Sequence, residues 1–226
     1  LERIHNLIFD VVLLHQKPPI PIHLYTVEPG EVYQGKKFTV SAFPVSHRGR
    51  GNFGYVFQED THHPFEAEKA EALGVPFGPE RGRLVRGESI TLDNGDVITP
   101  DMVLGDAVPG AKVVFTGDIG RLDNIEHIAE NADVLVTEAT FLDEDREMGN
   151  SFGHITAKQA AEFAKAMNVR YLLLTHISRR YREYDMVREA RATFPNARVV
   201  RDLDHFRIRR DKALVKVEPE SLSAED

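Results

Sequence analysis

The sequence predicts an α/β domain with its sheets packed between helices. Three features lead there. The first half is mostly β in pattern, the second half reads β-α-β-α-β, and 226 residues with 42% hydrophobic content suffice for one sizeable core.

Taken in order, Leu7–Leu14 is a short apolar run that reads as a strand, broken by Pro18, Pro19 and Pro21. Phe38–Val45 alternates as a half-buried strand should, and Gly54–Gln58 follows as the next strand. Glu66–Leu73 has helical composition with a stop at Gly74, and L-D-N-G-D-V-I from Leu92 to Ile98 is a hairpin signal centred on Asn94-Gly95. From Lys112 the period changes. K-V-V-F-T is a buried strand, Asp123–Glu130 a helix, and Asp133–Thr137 a second buried strand. Thr156 opens a helix, with Gln159 at capping-box spacing and an apolar face of Ala160, Ala161, Phe163, Ala164 and Met167. Tyr171–Leu174 is a third buried strand, Tyr184–Phe194 a helix ended by Pro195, and Val199–Ile208 closes with one or two strands. One domain over 1–217 fits better than two, with an acidic, Ser-containing flexible tail over 218–226.

Composition narrows the chemistry. There is no cysteine, so disulfides and thiolate zinc sites are excluded, and a metal would need His and carboxylate ligands. The formal charge of -8 does not by itself recruit nucleic acid. Two arginine clusters, Arg81/Arg83/Arg86 and Arg179/Arg180/Arg182, offer local exceptions, the first equally well read as solvated loop arginines. No apolar run reaches the roughly 20 residues of a membrane span and no signal peptide opens the chain, so a soluble, cytoplasmic protein is expected. The opening at Leu1 lacks a Met, and an N-terminal part of a longer protein is expected upstream.

Four residues stand at the ends of apolar strands or on the loops that follow, where α/β folds place ligands. Asp118 follows V-V-F-T-G, with Gly117 allowing a sharp turn; a helix-capping Asp is the plainer alternative. His176 follows L-L-L-T and precedes Ser178, Arg179 and Arg180, donors that suit a phosphate. His47 ends F-P-V-S and leads into the Gly-rich R-G-R-G-N-F-G-Y. His154 lies before the Thr156 helix as a candidate general acid, and Glu138 ends a buried strand where it can accept a hydrogen bond from a ligand His. A zinc or manganese hydrolase is the first functional expectation.

These segments, G-D, E-A-T-F, G-H-x-T and L-T-H-I-S-x-R-Y, together with F-P-V-S-H-R-G-x-G-N-F-G-Y and G-V-P-F-G-P-E-R-G-R-L-V-R-G-E, resemble ribonuclease Z of the metallo-β-lactamase superfamily from about Tyr25 to Arg209. The resemblance implies an α-β-β-α sandwich, two Zn2+ ions (Mn2+ as the alternative), a homodimer, and endonucleolytic removal of the 3′ trailer from precursor tRNA. It assigns His47 to the first metal, His176 to the second and Asp118 to both. His154 becomes the proton donor to the leaving oxygen, and Ser178 and Arg180 lie near substrate phosphate. The family's H-x-H-x-D-H motif is absent from the sequence, its tRNA-clasping arm is expected upstream of Leu1 as well, and Ile119 stands where many members have Thr. Three ligands divided between two metals imply weak metal binding and little catalysis by this chain alone. Two rivals follow: another hydrolase of the superfamily acting on a small phosphodiester or thioester, and a non-catalytic RNA-binding or dimerisation module.

Overall fold

Most of the strand patterns collect into one seven-stranded sheet. The computed structural model describes residues 1–18, 20–49, 51–209 and 212–218. Its strands are β1 (Gly30–Gln34), β2 (Phe38–Pro44), β3 (Phe53–Glu59), β4 (Ile90–Thr91), β5 (Val97–Ile98), β6 (Lys112–Phe115), β7 (Val134–Glu138), β8 (Tyr171–Thr175), β9 (Ala197–Val199), β10 (His205–Arg207) and β11 (Val215–Val217). Its helices are α1 (Glu2–Asn6), α2 (Ala67–Ala72), α3 (Pro79–Val85), α4 (Pro100–Val103), α5 (Glu126–Ala129), α6 (Arg146–Phe152), α7 (Ala157–Ala166) and α8 (Glu183–Thr193). The sheet order is β1-β2-β3-β6-β7-β8-β9, with β4-β5 and β10-β11 as separate hairpins. Pairing is antiparallel from β1 to β6 and parallel from β6 to β9.

Strict alternation in the central strands gives the sheet two buried faces. Val114, Leu135, Leu172 and Leu174 face the main core with Ala160, Ala161, Phe163 and Ala164 of α7 and Met186 and Ala190 of α8. Val113, Val134 and Leu173 point the other way, where Leu214 and the partly buried Phe206 and Ile208 cover them. The layers are thus helices, the large sheet and the small β10-β11 sheet, a mixed α/β architecture as the sequence predicts. The capping box at α7 forms: Gln159 N–H donates to Thr156 Oγ1 at 3.1 Å, and Thr156 N–H donates to Gln159 Oε1 at 3.0 Å. Thr156→Ala is expected to cost about 1 kcal/mol in urea unfolding.

Residues 60–108 hang between β3 and β6, adjacent strands of the sheet. They hold α2, α3, α4 and the β4-β5 hairpin around their own small core of Ala70, Val75, Leu84, Ile90, Ile98 and Val103. The connection is pinned at its root: Glu59 N–H donates to Ala111 O at 2.9 Å, and His62 and Val108 exchange backbone bonds of 3.0 and 2.8 Å.

Two expectations are corrected. Leu7–Leu14 is not a strand: α1 runs on into a π-helical turn at Leu7–Val12. Among the described residues no strand pairs with it, Leu7, Val11 and Val12 are exposed, and local bonds such as Leu13 N–H to Ile8 O at 2.8 Å satisfy the backbone instead. The Arg81/Arg83/Arg86 cluster is not on a loop, although Arg83 and Arg86 are exposed. Arg81 and Arg83 sit on α3 and Arg86 caps it; Arg81 bonds Val75 O and Pro76 O, while Arg83 and Arg86 both pair with Glu88 at 3.1 Å. Of the expected acidic tail, 219–226 lies outside the described residues. Among the described residues no helix is long and apolar enough to cross a membrane.

Candidate metal centre

Four strands point at one edge. β2 and β6 each run antiparallel to β3, and β7 and β8 run parallel to β6, so all four carboxyl ends meet there. The loops that follow carry His47, Asp118, Glu138 with Thr140, and His176. His154 arrives from the loop between α6 and α7. Its ring centroid lies 5.0 Å from that of His47 and 5.2 Å from that of His176. Asp118 Oδ1 is 3.7 Å from His176 Nδ1.

Glu138 is the hub. It is wholly buried, and four donors converge on its carboxylate. Ile119 N–H reaches Oε1 at 2.7 Å, Thr140 Oγ1 reaches Oε2 at 2.6 Å, His154 Nδ1 lies 2.8 Å from Oε1, and Ile155 N–H reaches Oε2 at 3.4 Å. An ionised carboxylate accepts all of these without a proton of its own. Ile119 is itself fully buried in the main core, so the missing Thr hydroxyl at that position takes nothing from the site: its backbone N–H is the working group.

The loops are bound to each other across long sequence distances. Gly120 N–H donates to Ser46 O at 2.6 Å, and His47 Nδ1 lies 2.9 Å from Gly153 O. A Cβ at Gly120 would meet the Gly153 carbonyl oxygen at 3.0 Å, so the two loops can stack this closely because residue 120 is glycine. Gly153 in turn ends α6 in the left-handed region at φ +76. His176 also has positive φ, +52, a conformation a non-glycine residue adopts where its surroundings hold it.

The donor set fits a divalent cation. A carbonyl and a carboxylate can only accept, so His47 and His154 carry Nδ1–H and keep the Nε2 lone pair, the arrangement a metal-ligating imidazole adopts. Two groups bring ligand atoms within 4.8 Å of one another: His47/Glu138/His154 and Asp118/His154/His176. Glu138 is already saturated by donors, which leaves Asp118, His47, His154 and His176 as the groups free to bind. Nitrogen and oxygen donors of this kind suit zinc or a harder ion.

Ser178 and Arg180 lie just beyond His176. Ser178 N–H donates to Thr140 O at 3.3 Å, and Ser178 Oγ accepts from Arg180 N–H at 3.3 Å. The half-exposed Arg180 guanidinium is 3.4 Å from Asp145, which also binds the Tyr181 hydroxyl. Burial and that Asp145 contact push the Tyr181 phenol up to about 12. Thr140 escaped the sequence reading. Its signal was its spacing: two residues past Glu138 in an extended segment, it shares that side chain's face.

A family model for the beta-lactamase superfamily domain matches residues 87–177. Ribonuclease Z of Bradyrhizobium diazoefficiens is 41% identical over 190 residues, covering 84% of this chain and 63% of that protein. Ribonuclease Z of Brevibacillus brevis is 34% identical over 221 residues, covering 94% and 69%. The crystal structure of a diphosphatase of the PhnP family superposes with a TM-score of 0.51 over 89% of this chain and 53% of that one, at 12% identity, a likeness of fold. The chain therefore spans under two thirds of the Bradyrhizobium relative and just over two thirds of the Brevibacillus one. On that coverage and identity, and with a mixed α/β fold of the metallo-β-lactamase type, the chain belongs to the ribonuclease Z family.

Proposed function

We propose that this chain acts in a metal-dependent endoribonuclease that removes the 3′ trailer from precursor tRNA. The observation that carries the reading is the pairing of buried Glu138 with the part-buried His154, set among His47, Asp118 and His176 in a chain of this family. His47 would hold one ion and His176 a second, with Asp118 shared; Zn2+ suits these donors, and Mn2+ is the alternative. The chemistry such ions supply is charge neutralisation at the scissile phosphate and easier ionisation of the attacking water.

The chain's own residues do the rest. Glu138 fixes the His154 ring in the Nδ1–H form and sets its orientation. Protonated at both nitrogens, His154 gives its Nε2 proton to the leaving 3′ oxygen and returns to the form that Glu138 already holds. Arg180 meets a substrate phosphate by giving up Asp145, and Ser178 adds a hydroxyl beside it. The product is a tRNA with a 3′-hydroxyl end, and the working form is a homodimer.

No H-x-H-x-D-H segment occurs in this sequence. Three donors shared by two ions are too few, so the reading requires more ligands than His47, Asp118 and His176. The test is cleavage of a precursor tRNA by the full-length protein, beside its His176→Ala variant. Wild type is expected to release the trailer, and the variant to lose more than about 100-fold in rate while keeping its circular dichroism. Unchanged cleavage by the variant would sink the assignment of His176, and no cleavage by wild type would sink the activity.

A further inference from the structure

We propose that Thr140 is a positioning residue whose hydroxyl sets the tautomer of His176 and ties that ring to the Glu138–His154 pair. The inference concerns where protons sit, and it stands whether or not the substrate is RNA.

Thr140 is nearly buried, and its one oxygen has three strong neighbours. Glu138 Oε2 lies at 2.6 Å, His176 Nδ1 at 2.8 Å and His176 O at 3.0 Å. The hydroxyl has a single hydrogen to place. The carboxylate is both the nearest acceptor and the charged one, so it takes that hydrogen. Thr140 then has lone pairs alone to offer His176, and the 2.8 Å contact requires a proton on His176 Nδ1. The chain of donation runs His176 Nδ1–H to Thr140 Oγ1–H to Glu138, with His154 Nδ1–H meeting the same carboxylate from its other side.

Three consequences meet at this hydroxyl. His176 keeps its Nε2 lone pair, so all three histidines of the centre share one protonation pattern although their acceptors differ: a carbonyl, a carboxylate and a hydroxyl. The ring is also held against rotation at a residue whose backbone lies in the left-handed region. Finally, one carboxylate orients both the candidate ligand His176 and the candidate acid His154, so a disturbance at either ring reaches the other through three hydrogen bonds.

Long-range proton–nitrogen correlation spectra of the 15N-labelled chain test this, recorded without metal at about pH 8.5, where an ordinary imidazole is neutral. His176 is assigned by its disappearance in His176→Gln. Wild type is expected to show His176 in the Nδ1–H form. Thr140→Val, which keeps the shape and removes the hydroxyl, is expected to shift the His176 signals to the Nε2–H form that free imidazole prefers, and Thr140→Ser to restore them. His47 serves as the internal control, because its acceptor, Gly153 O, does not involve Thr140; it stays Nδ1–H in every folded variant. A wild-type His176 in the Nε2–H form overturns the proposal without recourse to any variant. So does a folded Thr140→Val whose His176 signals do not move.

Discussion

Replacing Glu138 with alanine is expected to cost the fold roughly 3–5 kcal/mol, a large share of the 5–15 kcal/mol that stabilises a domain of this kind. The carboxylate is wholly buried and receives four donors from three loops: Ile119 on the Asp118 loop, Thr140 on its own loop, and both His154 and Ile155 before α7. Removing it takes the acceptor from two fully buried amides, Ile119 and Ile155, and from the part-buried His154 ring, each facing the loss of a bond it had in place of water. Chemical denaturation reads the difference directly. Glu138→Gln is expected to fall between, since its oxygen still accepts but its amide faces other donors. A loss below about 1 kcal/mol for the alanine variant would mean that water replaces the carboxylate freely and that Glu138 is not the hub of these loops.

The second large effect is on turnover. His154→Ala is expected to slow cleavage of precursor tRNA by the full-length protein about 100- to 10,000-fold, the usual worth of a general acid. The sharper test varies the leaving group. A phosphodiester that expels 4-nitrophenolate needs no proton, so the same variant should cleave it at close to the wild-type rate. Equal losses on both substrates would show that His154 acts by binding or by holding the fold, and the proton-donor role would fall.

Much of this was legible in the chain. K-V-V-F-T, D-V-L-V-T and Y-L-L-L announce β6, β7 and β8 because a parallel strand buried on both faces has to be apolar throughout. The S/T-x-x-E/Q spacing at Thr156 and Gln159 gave the start of α7 for an equally local reason. Where the reading failed, the deciding information lay elsewhere in the chain. Leu7–Leu14 has strand composition, yet a strand needs a partner, and among the described residues no strand pairs with it. β1 is exposed at every residue, so it carries no alternation to detect and is defined by its pairing with β2. At the site, strand-end positions singled out His47, Asp118, Glu138 and His176 one at a time. Their mutual bonds, such as His47 to Gly153 or Thr140 to His176, join segments 106 and 36 residues apart that local pattern does not relate.

The root of the 60–108 connection has a consequence for how such a protein can change. β3 and β6 pair as directly as the arms of a hairpin, and the backbone bonds at Glu59, His62 and Val108 close the neck before the chain departs. What lies beyond the neck is invisible to the sheet. Each doubling of its length costs only about 0.6 kcal/mol in closure entropy, and the strand register is fixed below it. Lineages are therefore free to lengthen, shorten or redecorate this outgrowth, and to try new surfaces with it, while the four strand ends that gather the histidines keep their places.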